Sequence, residues 1–297
     1  MFATGDSITK AKLWSWYDTP IYNFSLYDEI VHVVKAFEYI SQSNFDIIHN
    51  HAYTFGPALL NFSSIPHVTT FHDMPYKPLM HYFEAFSSKN QYISISQSQQ
   101  KAIPLNWIGN VYNAINVADF AFEANKEEYL LFIGNVAPWK GPHLAIQVAR
   151  KLQRRLKIAG PVHKADYYEQ EIAPYVDGSL IEYIGEVDFA QKVSLYQNAA
   201  VLLVPISWEE PFGLVMIEAL ACGTPVIAFM MGAAPEIIVD GQVGFLVTNV
   251  DEMAAAVKNI SKISPWKCRE HVERNFDTKL MADRYIELYQ KTLENWP

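Results

Sequence analysis

The chain has only two cysteines, Cys222 and Cys268, among its 297 residues. Disulfide-stapled scaffolds need several paired cysteines, so the composition excludes that class and favours a reducing, cytoplasmic setting. No apolar run reaches the ~18 residues that cross a bilayer, and the N-terminus lacks the apolar core of a signal peptide. We therefore expect no membrane span and no secretory leader, while weak attachment to a membrane surface stays open.

Positive charge is also scarce. Lysine and arginine total 23 against 32 aspartates and glutamates, which gives a net charge of −9. A general nucleic-acid binder would need a basic face, so we expect no nucleic-acid partner. A small anionic ligand, held by a few local cations and helix ends, remains compatible with this charge.

Short apolar runs alternate with helical patterns along almost the whole chain. Continuous apolar strands that alternate with helices predict parallel sheets covered on both faces, hence an α/β fold. Four such runs precede a polar break and six follow it. They occupy residues 45–51, 67–73, 91–96 and 107–114, then 129–134, 156–160, 181–185, 200–207, 224–229 and 244–247.

The two series of strands predict two doubly wound, Rossmann-like domains that face a cleft. We place an N-terminal domain at residues 1–118 and a C-terminal domain at residues 119–276. Residues 277–297 read as an amphipathic helix that packs back toward the N-terminal domain. Because the first series is shorter and opens abruptly, we expect the N-terminal domain to be incomplete.

The stretch WEEPFGLVMIEALAC (Trp208–Cys222) places a carboxylate inside an apolar helix. From Gly213 to Cys222, Glu218 is the only residue that is neither apolar nor glycine, and Glu210 stands at the mouth of the helix. A carboxylate can accept hydrogen bonds from the neighbouring hydroxyls of a sugar. Alternatively, Glu210 complements the helix dipole and Glu218 pairs with a buried arginine or hydroxyl. For Glu218 we favour the ligand-binding hypothesis, whereas for Glu210 taken alone we favour the helix-dipole alternative.

Two further loops join strands to helices in the C-terminal series. In FIGNVAPWKGPHLAI (Phe132–Ile146), Gly134 allows a ligand to approach the backbone. Lys140 and the following helix N-terminus make a local anion site, or else a plain turn with a surface lysine. The stretch MMGAAPEIIVDGQVGFLV (Met230–Val247) is by itself an ordinary connection.

Histidines end two strands of the N-terminal series, namely His49 and His51 in one and His72 in the other. No cysteine or carboxylate stands at metal-ligand spacing, so we expect no metal site. Each histidine is a candidate for hydrogen bonding or proton transfer toward the cleft. A satisfied core histidine is the alternative, and it stays open for His49 and His51. For His72 we favour the functional hypothesis.

From Leu130 to Val257 the chain resembles the family 4 retaining glycosyltransferases, whose fold is the two-domain GT-B arrangement. EPFGLVMIE is similar to that family's Glu-x7-Glu signature, and FIGNVAPWKGPHLAI resembles its phosphate loop. ACGTPVIA, GAAPEII and DGQVGFLV follow in the family's order, and TTFHD is a weaker match in the N-terminal half. FATGDS resembles a segment that lies inside the family's N-terminal domain, so we expect the opening strands of that domain to be absent.

The resemblance implies transfer of a sugar, with retention of anomeric configuration, from a UDP-, GDP- or TDP-sugar to an unknown glycan, lipid or small-molecule acceptor. It implies no metal and no cofactor. Glu218 would bind the ribose, Glu210 the transferred sugar, and Lys140 the diphosphate, while His72 would help to align the sugar. The other implied donor contacts are Gly134 and Asn135, backbone near Glu186 and Val187 for the base, and the N–H groups of Phe212, Gly213 and Leu214.

Asn135 departs from the family pattern, which has a cation directly after the glycine of the phosphate loop. With the shortened N-terminal domain, this departure motivates a second hypothesis, a non-catalytic protein that binds a nucleotide sugar or acts as a scaffold. Another GT-B enzyme, such as a sugar-nucleotide epimerase, fits EPFGLVMIE less well. The oligomeric state stays open.

Overall fold

A computed structural model of the chain describes residues 1, 3, 7, 9–19, 25–52, 54–74 and 80–296. The chain divides into two compact units. The first comprises Met1–Ile95, Ala102–Asn110 and Tyr285–Pro297, and the second comprises Ser96–Lys101 and Val111–Arg284. The predicted domain limits at 118 and 276 stay predictions. The comparison made for FATGDS falls largely on residues outside the described set.

The first unit contains a four-stranded parallel sheet in the order β1-β2-β3-β4. Its strands are β1 (Ile48–Asn50), β2 (His67–Thr70), β3 (Gln91–Ser94) and β4 (Trp107–Asn110). The helices along this part of the chain are α1 (Leu26–Ser41), α2 (Gly56–Leu60), α3 (Met80–Ala85) and α4 (Gln97–Ala102). Every residue of β2 is buried, as expected for a central parallel strand.

An aromatic cluster forms part of the core of this unit. Phe71, which directly follows β2, packs with Phe83 of α3 at a ring-centroid distance of 5.0 Å. Tyr92 of β3 and Ile103 complete the buried set. Residues 285–297 also belong to this unit, and Thr292 Oγ1 donates a hydrogen bond to Gln91 Oε1 at 2.9 Å.

The second unit contains a six-stranded parallel sheet in the order β10-β9-β8-β5-β6-β7. Its strands are β5 (Leu130–Ile133), β6 (Leu156–Ala159), β7 (Ile181–Gly185), β8 (Val201–Val204), β9 (Val226–Phe229) and β10 (Gly244–Val247). The helices are α5 (Pro142–Leu152), α6 (Ala165–Glu171), α7 (Phe189–Asn198), α8 (Leu214–Ala221), α9 (Ala234–Ile237), α10 (Val250–Val257), α11 (Pro265–Asn275) and α12 (Thr278–Asn295), the last continuing into the first unit.

The strand order creates a switch point between β5 and β8. From β5 the chain proceeds to β6 and β7 on one side, whereas β8, β9 and β10 build the other side. In open α/β sheets, ligands bind where such a reversal separates the loops at the carboxyl ends of two strands. The loops that follow β5 and β8 are those that carry Lys140 and Glu210.

The predicted α/β fold with two parallel-sheet domains is confirmed, and each of the ten predicted apolar runs contains a strand. Eight of the ten strands are shorter than their runs, because those runs extend into loops. The run at 107–114, for example, is paired only over Trp107–Asn110. Within the described residues, no helix is long and apolar enough to cross a membrane.

Candidate functional site

The loop after β5 is held against the loop after β8 by a close backbone approach. Gly141 has a φ of +77°, and a Cβ at this position would lie 2.2 Å from the carbonyl oxygen of Pro205. Ser207 N donates a hydrogen bond to the Trp139 carbonyl oxygen at 3.0 Å. Glycine is therefore required at position 141 both for its left-handed backbone and for space. This packing places Lys140 beside the loop that carries Glu210.

Lys140 and Glu210 form an ion pair. Lys140 Nζ lies 2.5 Å from Glu210 Oε2, with the two side chains 22% and 14% exposed. Trp208 Nε1 donates to the same carboxylate oxygen at 2.9 Å. The structure thus brings together the residues predicted for the diphosphate and for the transferred sugar, and it adds Trp208, which the sequence analysis did not single out.

The loop after β9 fixes the backbone of Glu210. Gly232 has a φ of +54°, and a Cβ there would lie 2.3 Å from the Glu210 carbonyl oxygen. That oxygen accepts a hydrogen bond from Ala233 N at 3.0 Å, and Gly232 N donates to Glu209 Oε2 at 3.1 Å. A loop that looked ordinary in the sequence therefore supports the candidate site.

The N-terminus of α8 opens beside this pair. Gly213 is the N-cap with a φ of +91°, and among the described residues no side chain caps this helix end. Unpartnered N–H groups at a helix start, together with the helix dipole, suit an anion. Phe212 is buried against Tyr112 and Phe276, so its side chain belongs to the core and only its backbone can serve a ligand. Leu214 is exposed.

Glu218 is buried at 7% exposure and has two partners on α7. Lys192 Nζ lies 2.7 Å from Oε1, and Tyr196 donates its hydroxyl to Oε2 at 2.9 Å. Burial, and then the neighbouring carboxylate, raise the pKa of Tyr196 well above its ordinary value, so the hydroxyl stays a donor. These contacts compensate the buried charge, so burial of Glu218 alone does not point to a ligand. Its predicted role in ribose binding stays a prediction.

Lys192 and Tyr196 were missed at the sequence level, although a signal was present. They are four residues apart on α7, whose start is fixed by a capping box of Asp188 and Gln191. Residues i and i+4 lie on one face of a helix. A lysine and a tyrosine on one helix face are natural partners for a carboxylate on a neighbouring apolar helix.

The remaining predicted donor residues lie at the ends of β5 and β7. Gly134 and the exposed Asn135 directly follow β5. A Cβ on Gly160, which follows β6, would lie 2.1 Å from the Gly134 carbonyl oxygen, so the two strand ends approach closely. Glu186 and Val187 follow β7, which β6 separates from β5 in the sheet. Their predicted contacts with a nucleotide stay predictions.

His72 lies in the first unit, where it pairs with another histidine. His51 Nδ1 and His72 Nε2 are 2.8 Å apart, so one ring donates and the other accepts. His49 is engaged at both nitrogens, by Tyr289 Oη at 2.5 Å and Thr70 Oγ1 at 2.7 Å. The described residues contain no group of three or more histidine, cysteine or acidic side chains arranged to hold a metal ion.

Desolvation dominates the titration of these histidines. It lowers the pKa of His49 to about 3, with smaller contributions from the charges of His51 and His72. It lowers the pKa of His51 to about 4, again with a contribution from His72, and it also lowers the pKa of His72. All three rings are therefore neutral near pH 7. His49 fits the alternative of a satisfied, hydrogen-bonded histidine, while the predicted role of His72 stays a prediction.

The chain has the GT-B fold: it contains two parallel α/β sheets, and solved glycosyltransferase structures superpose on it. The Lys140–Glu210 ion pair lies at the switch point of the six-stranded sheet. The sequence model described as glycosyl transferases group 1 matches residues 117–276, more than half of the chain. The chain belongs to this glycosyltransferase family.

The relatives agree with this assignment, and a structural neighbour has the same fold. The chain is 29% identical over 222 residues to an uncharacterized glycosyltransferase of Methanocaldococcus jannaschii, a match that spans 70% of this chain and 62% of the relative. It is 27% identical over 284 residues to a second such protein of that organism, spanning 81% and 72%. The structure of HepE from Anabaena with UDP and glucose superposes with a TM-score of 0.77 at 18% identity, covering 94% and 86%.

Proposed function

We propose that the protein transfers a sugar from a nucleotide-sugar donor to an acceptor, with retention of anomeric configuration and without a metal ion. The ion pair of Lys140 and Glu210 beside the open N-terminus of α8 carries this proposal. It combines the two features that such a donor needs, a positive site for the diphosphate and a carboxylate for sugar hydroxyls. The family membership supports the reaction class.

Departure of the nucleoside diphosphate requires stabilisation of the negative charge that develops on the leaving group. As the bond between the anomeric carbon and the diphosphate oxygen breaks, positive charge grows on the sugar ring and negative charge grows on the leaving oxygen. Preorganised donors aimed at that charge are usually the largest catalytic term. Lys140 and the N–H groups of Gly213 and Leu214 supply such donors, so the charge is met by the protein itself.

Glu210 serves the transferred sugar in this proposal. Its carboxylate can accept hydroxyl hydrogen bonds from the sugar once the diphosphate has engaged Lys140. Retention rests on the resemblance of EPFGLVMIE to the signature of retaining enzymes. The roles of Glu218 toward the ribose and of His72 toward the sugar follow from the same resemblance, and we propose them on that basis alone.

The donor nucleotide is UDP, GDP or TDP, and the acceptor is a glycan, a lipid or a small molecule. HepE, the neighbour reported above, was solved with UDP and glucose, which supports a nucleotide-sugar partner. We also propose a cytoplasmic location, which the two free and buried cysteines support because disulfides form in oxidising compartments.

Calorimetric titration with UDP-, GDP- and TDP-sugars, followed by hydrolysis assays with and without EDTA, tests the proposal. We expect binding of one nucleotide series in the micromolar to millimolar range and slow hydrolysis that EDTA does not reduce. Lys140→Met should weaken binding at least about tenfold, because a hydrogen bond to a charged group is lost. Lys151→Met is the matched control, since Lys151 is an exposed lysine paired with Asp251.

Four outcomes would count against the proposal. Binding of none of the nucleotides, or equal effects of Lys140→Met and Lys151→Met, would remove its basis. Loss of hydrolysis with EDTA, restored by a divalent cation, would refute the metal-independent part. Tight binding without turnover toward water or any acceptor would favour the non-catalytic alternative.

A further inference from the structure

We propose that Trp208 is the residue that holds Glu210 in place when Lys140 is drawn to the donor diphosphate, and that it thereby sets the contribution of the sugar to donor affinity. This inference rests on the proposed function. It assigns Trp208 as a positioning residue, because the indole acts on the sugar through the Glu210 carboxylate.

Among the described residues, the hydrogen bonds that the Glu210 carboxylate accepts fall on one of its two oxygens. Lys140 Nζ and Trp208 Nε1 both donate to Oε2, at 2.5 and 2.9 Å. Among the described residues, Oε1 accepts no hydrogen bond. The carboxylate is thus fixed through one oxygen and presents the other, which is the arrangement needed to receive a sugar hydroxyl without losing its orientation.

The two donors differ in what a phosphate does to them. An ammonium is a compact and flexible charge, which a diphosphate attracts strongly. The indole N–H is neutral and lies on a rigid side chain, so a diphosphate competes for it weakly. When Lys140 turns toward the diphosphate, Trp208 remains the donor that keeps Oε2 where the free protein has it.

The Trp208 ring also contacts the lysine. Lys140 Nζ lies 5.3 Å from the centroid of the indole, within cation–π range. The backbone on both sides is fixed, because Glu210 N donates to the Trp208 carbonyl oxygen at 2.8 Å and Ala233 N donates to the Glu210 carbonyl oxygen. The indole N–H and the indole face therefore act on different members of the ion pair, which allows the two effects to be separated by substitution.

Trp208→Phe is the decisive variant, because it keeps an aromatic face for Lys140 and removes the N–H. Affinity is measured for UDP and UDP-glucose, GDP and GDP-mannose, and TDP and TDP-glucose, and the pair that the wild type binds best is used. We expect the variant to bind the nucleoside diphosphate within about twofold of wild type and the nucleotide sugar about tenfold more weakly. The hydrolysis kcat should fall as well. Trp266→Phe, at an exposed position on α11, serves as the control and should change neither affinity.

Several results would overturn the inference while leaving the proposed function standing. In one, Trp208→Phe retains the wild-type ratio of the two affinities. In another, it weakens both ligands equally, as a merely structural residue would. A wild type that binds the diphosphate and its sugar conjugate equally would refute it together with the sugar-binding role of Glu210, while the proposed reaction class would stand. A wild type that binds no nucleotide would refute the proposed function itself, and the inference would fall with it.

Discussion

Lys192 Nζ lies 2.7 Å from Glu218 Oε1, so the carboxylate in the apolar helix α8 is neutralised by a lysine on the neighbouring helix α7. The lysine is a quarter exposed while the glutamate is buried. A pair that is open on one side loses less hydration than a fully buried one, and Tyr196 satisfies the second oxygen. The contacts with Lys192 and Tyr196 explain why a carboxylate is tolerated in this apolar helix. They do not depend on whether Glu218 also binds ribose.

Substitutions of Lys192 and Glu218 should distinguish a structural role of this ion pair from a role of Glu218 in nucleotide binding. We expect Glu218→Gln and Lys192→Met each to lower the free energy of unfolding by about 1–3 kcal/mol, because each leaves a polar partner unsatisfied. If Glu218 also binds the ribose, only Glu218→Gln should weaken nucleotide binding. Urea denaturation measures the first effect and calorimetric titration with the donor nucleotide measures the second.

Comparing the nucleotide affinities of Glu218→Gln and Lys192→Met shows whether Glu218 itself contacts the ligand. Equal loss of nucleotide affinity in both would mean that the ion pair, rather than the carboxylate itself, supports the site. Unchanged nucleotide affinity in Glu218→Gln would reject the ribose assignment.

Gly141 couples the loop that carries Lys140 to the loop after β8, and Gly141→Ala should break that coupling. The new methyl group would meet the Pro205 carbonyl oxygen at 2.2 Å in a left-handed backbone, so the loop must move and carry Lys140 with it. We expect a loss of stability of about 2 kcal/mol or more, together with loss of nucleotide binding. Thermal denaturation and titration calorimetry measure the two effects.

Gly178→Ala is a matched control for that substitution. Gly178 has a similar φ of +73°, but a Cβ there would meet nothing within 4 Å. It should therefore show only the backbone strain of about 1 kcal/mol and bind nucleotide normally. Equal behaviour of the two variants would show that the contact with Pro205 has no role in positioning Lys140.

The sequence was sufficient for the sheets and insufficient for the contacts of the site. Apolar runs report burial directly, so both sheets followed from pattern alone. The order of motifs singled out Lys140 and Glu210, which the structure brings together as an ion pair. The partners of Glu218 could not be derived, because they depend on which face of α7 meets α8. The support of Glu210 by Gly232 was likewise invisible, since that approach links loops about twenty residues apart.

The contacts of Glu236, in the motif GAAPEII, also could not be derived from the sequence. Its carboxylate accepts hydrogen bonds from Gln97 N at 2.8 Å, Ser98 N at 2.7 Å and Tyr112 Oη at 2.9 Å. Burial, and then the charge of Glu236, raise the pKa of Tyr112 to about 12. Glu236→Gln removes that charge, so we expect the pKa of Tyr112 to fall and stability to drop by about 1–3 kcal/mol.

An NMR titration that follows the assigned Cζ resonance of Tyr112 measures the pKa in that variant. Glu252→Gln is the control, because that carboxylate lies in the first turn of α10 and accepts hydrogen bonds from Thr248 N and Asn249 Nδ2 instead. A pKa of Tyr112 that is the same in wild type and Glu236→Gln would show that the charge of Glu236 does not act on the tyrosine.

Because of the buried histidines of the first unit, we expect the free energy of unfolding to fall at acidic pH. The pKa of His49 is lowered from 6.5 to about 3 in the folded protein, so between those values the unfolded chain binds more protons than the folded one. The free energy of unfolding should therefore fall as the pH drops below about 6.5, by at most ~1.4 kcal/mol per pH unit for each such histidine. His51 and His72 add to the slope in the same direction.

His49→Gln keeps hydrogen-bonding capacity toward Tyr289 and Thr70 and removes one titrating group. Urea denaturation between pH 5 and 7.5 should show a shallower loss of stability on acidification than in wild type. If stability depends on pH equally in His49→Gln and in wild type, His49 binds its proton equally well in the folded and unfolded states. The proposed origin of the acid sensitivity would then be wrong.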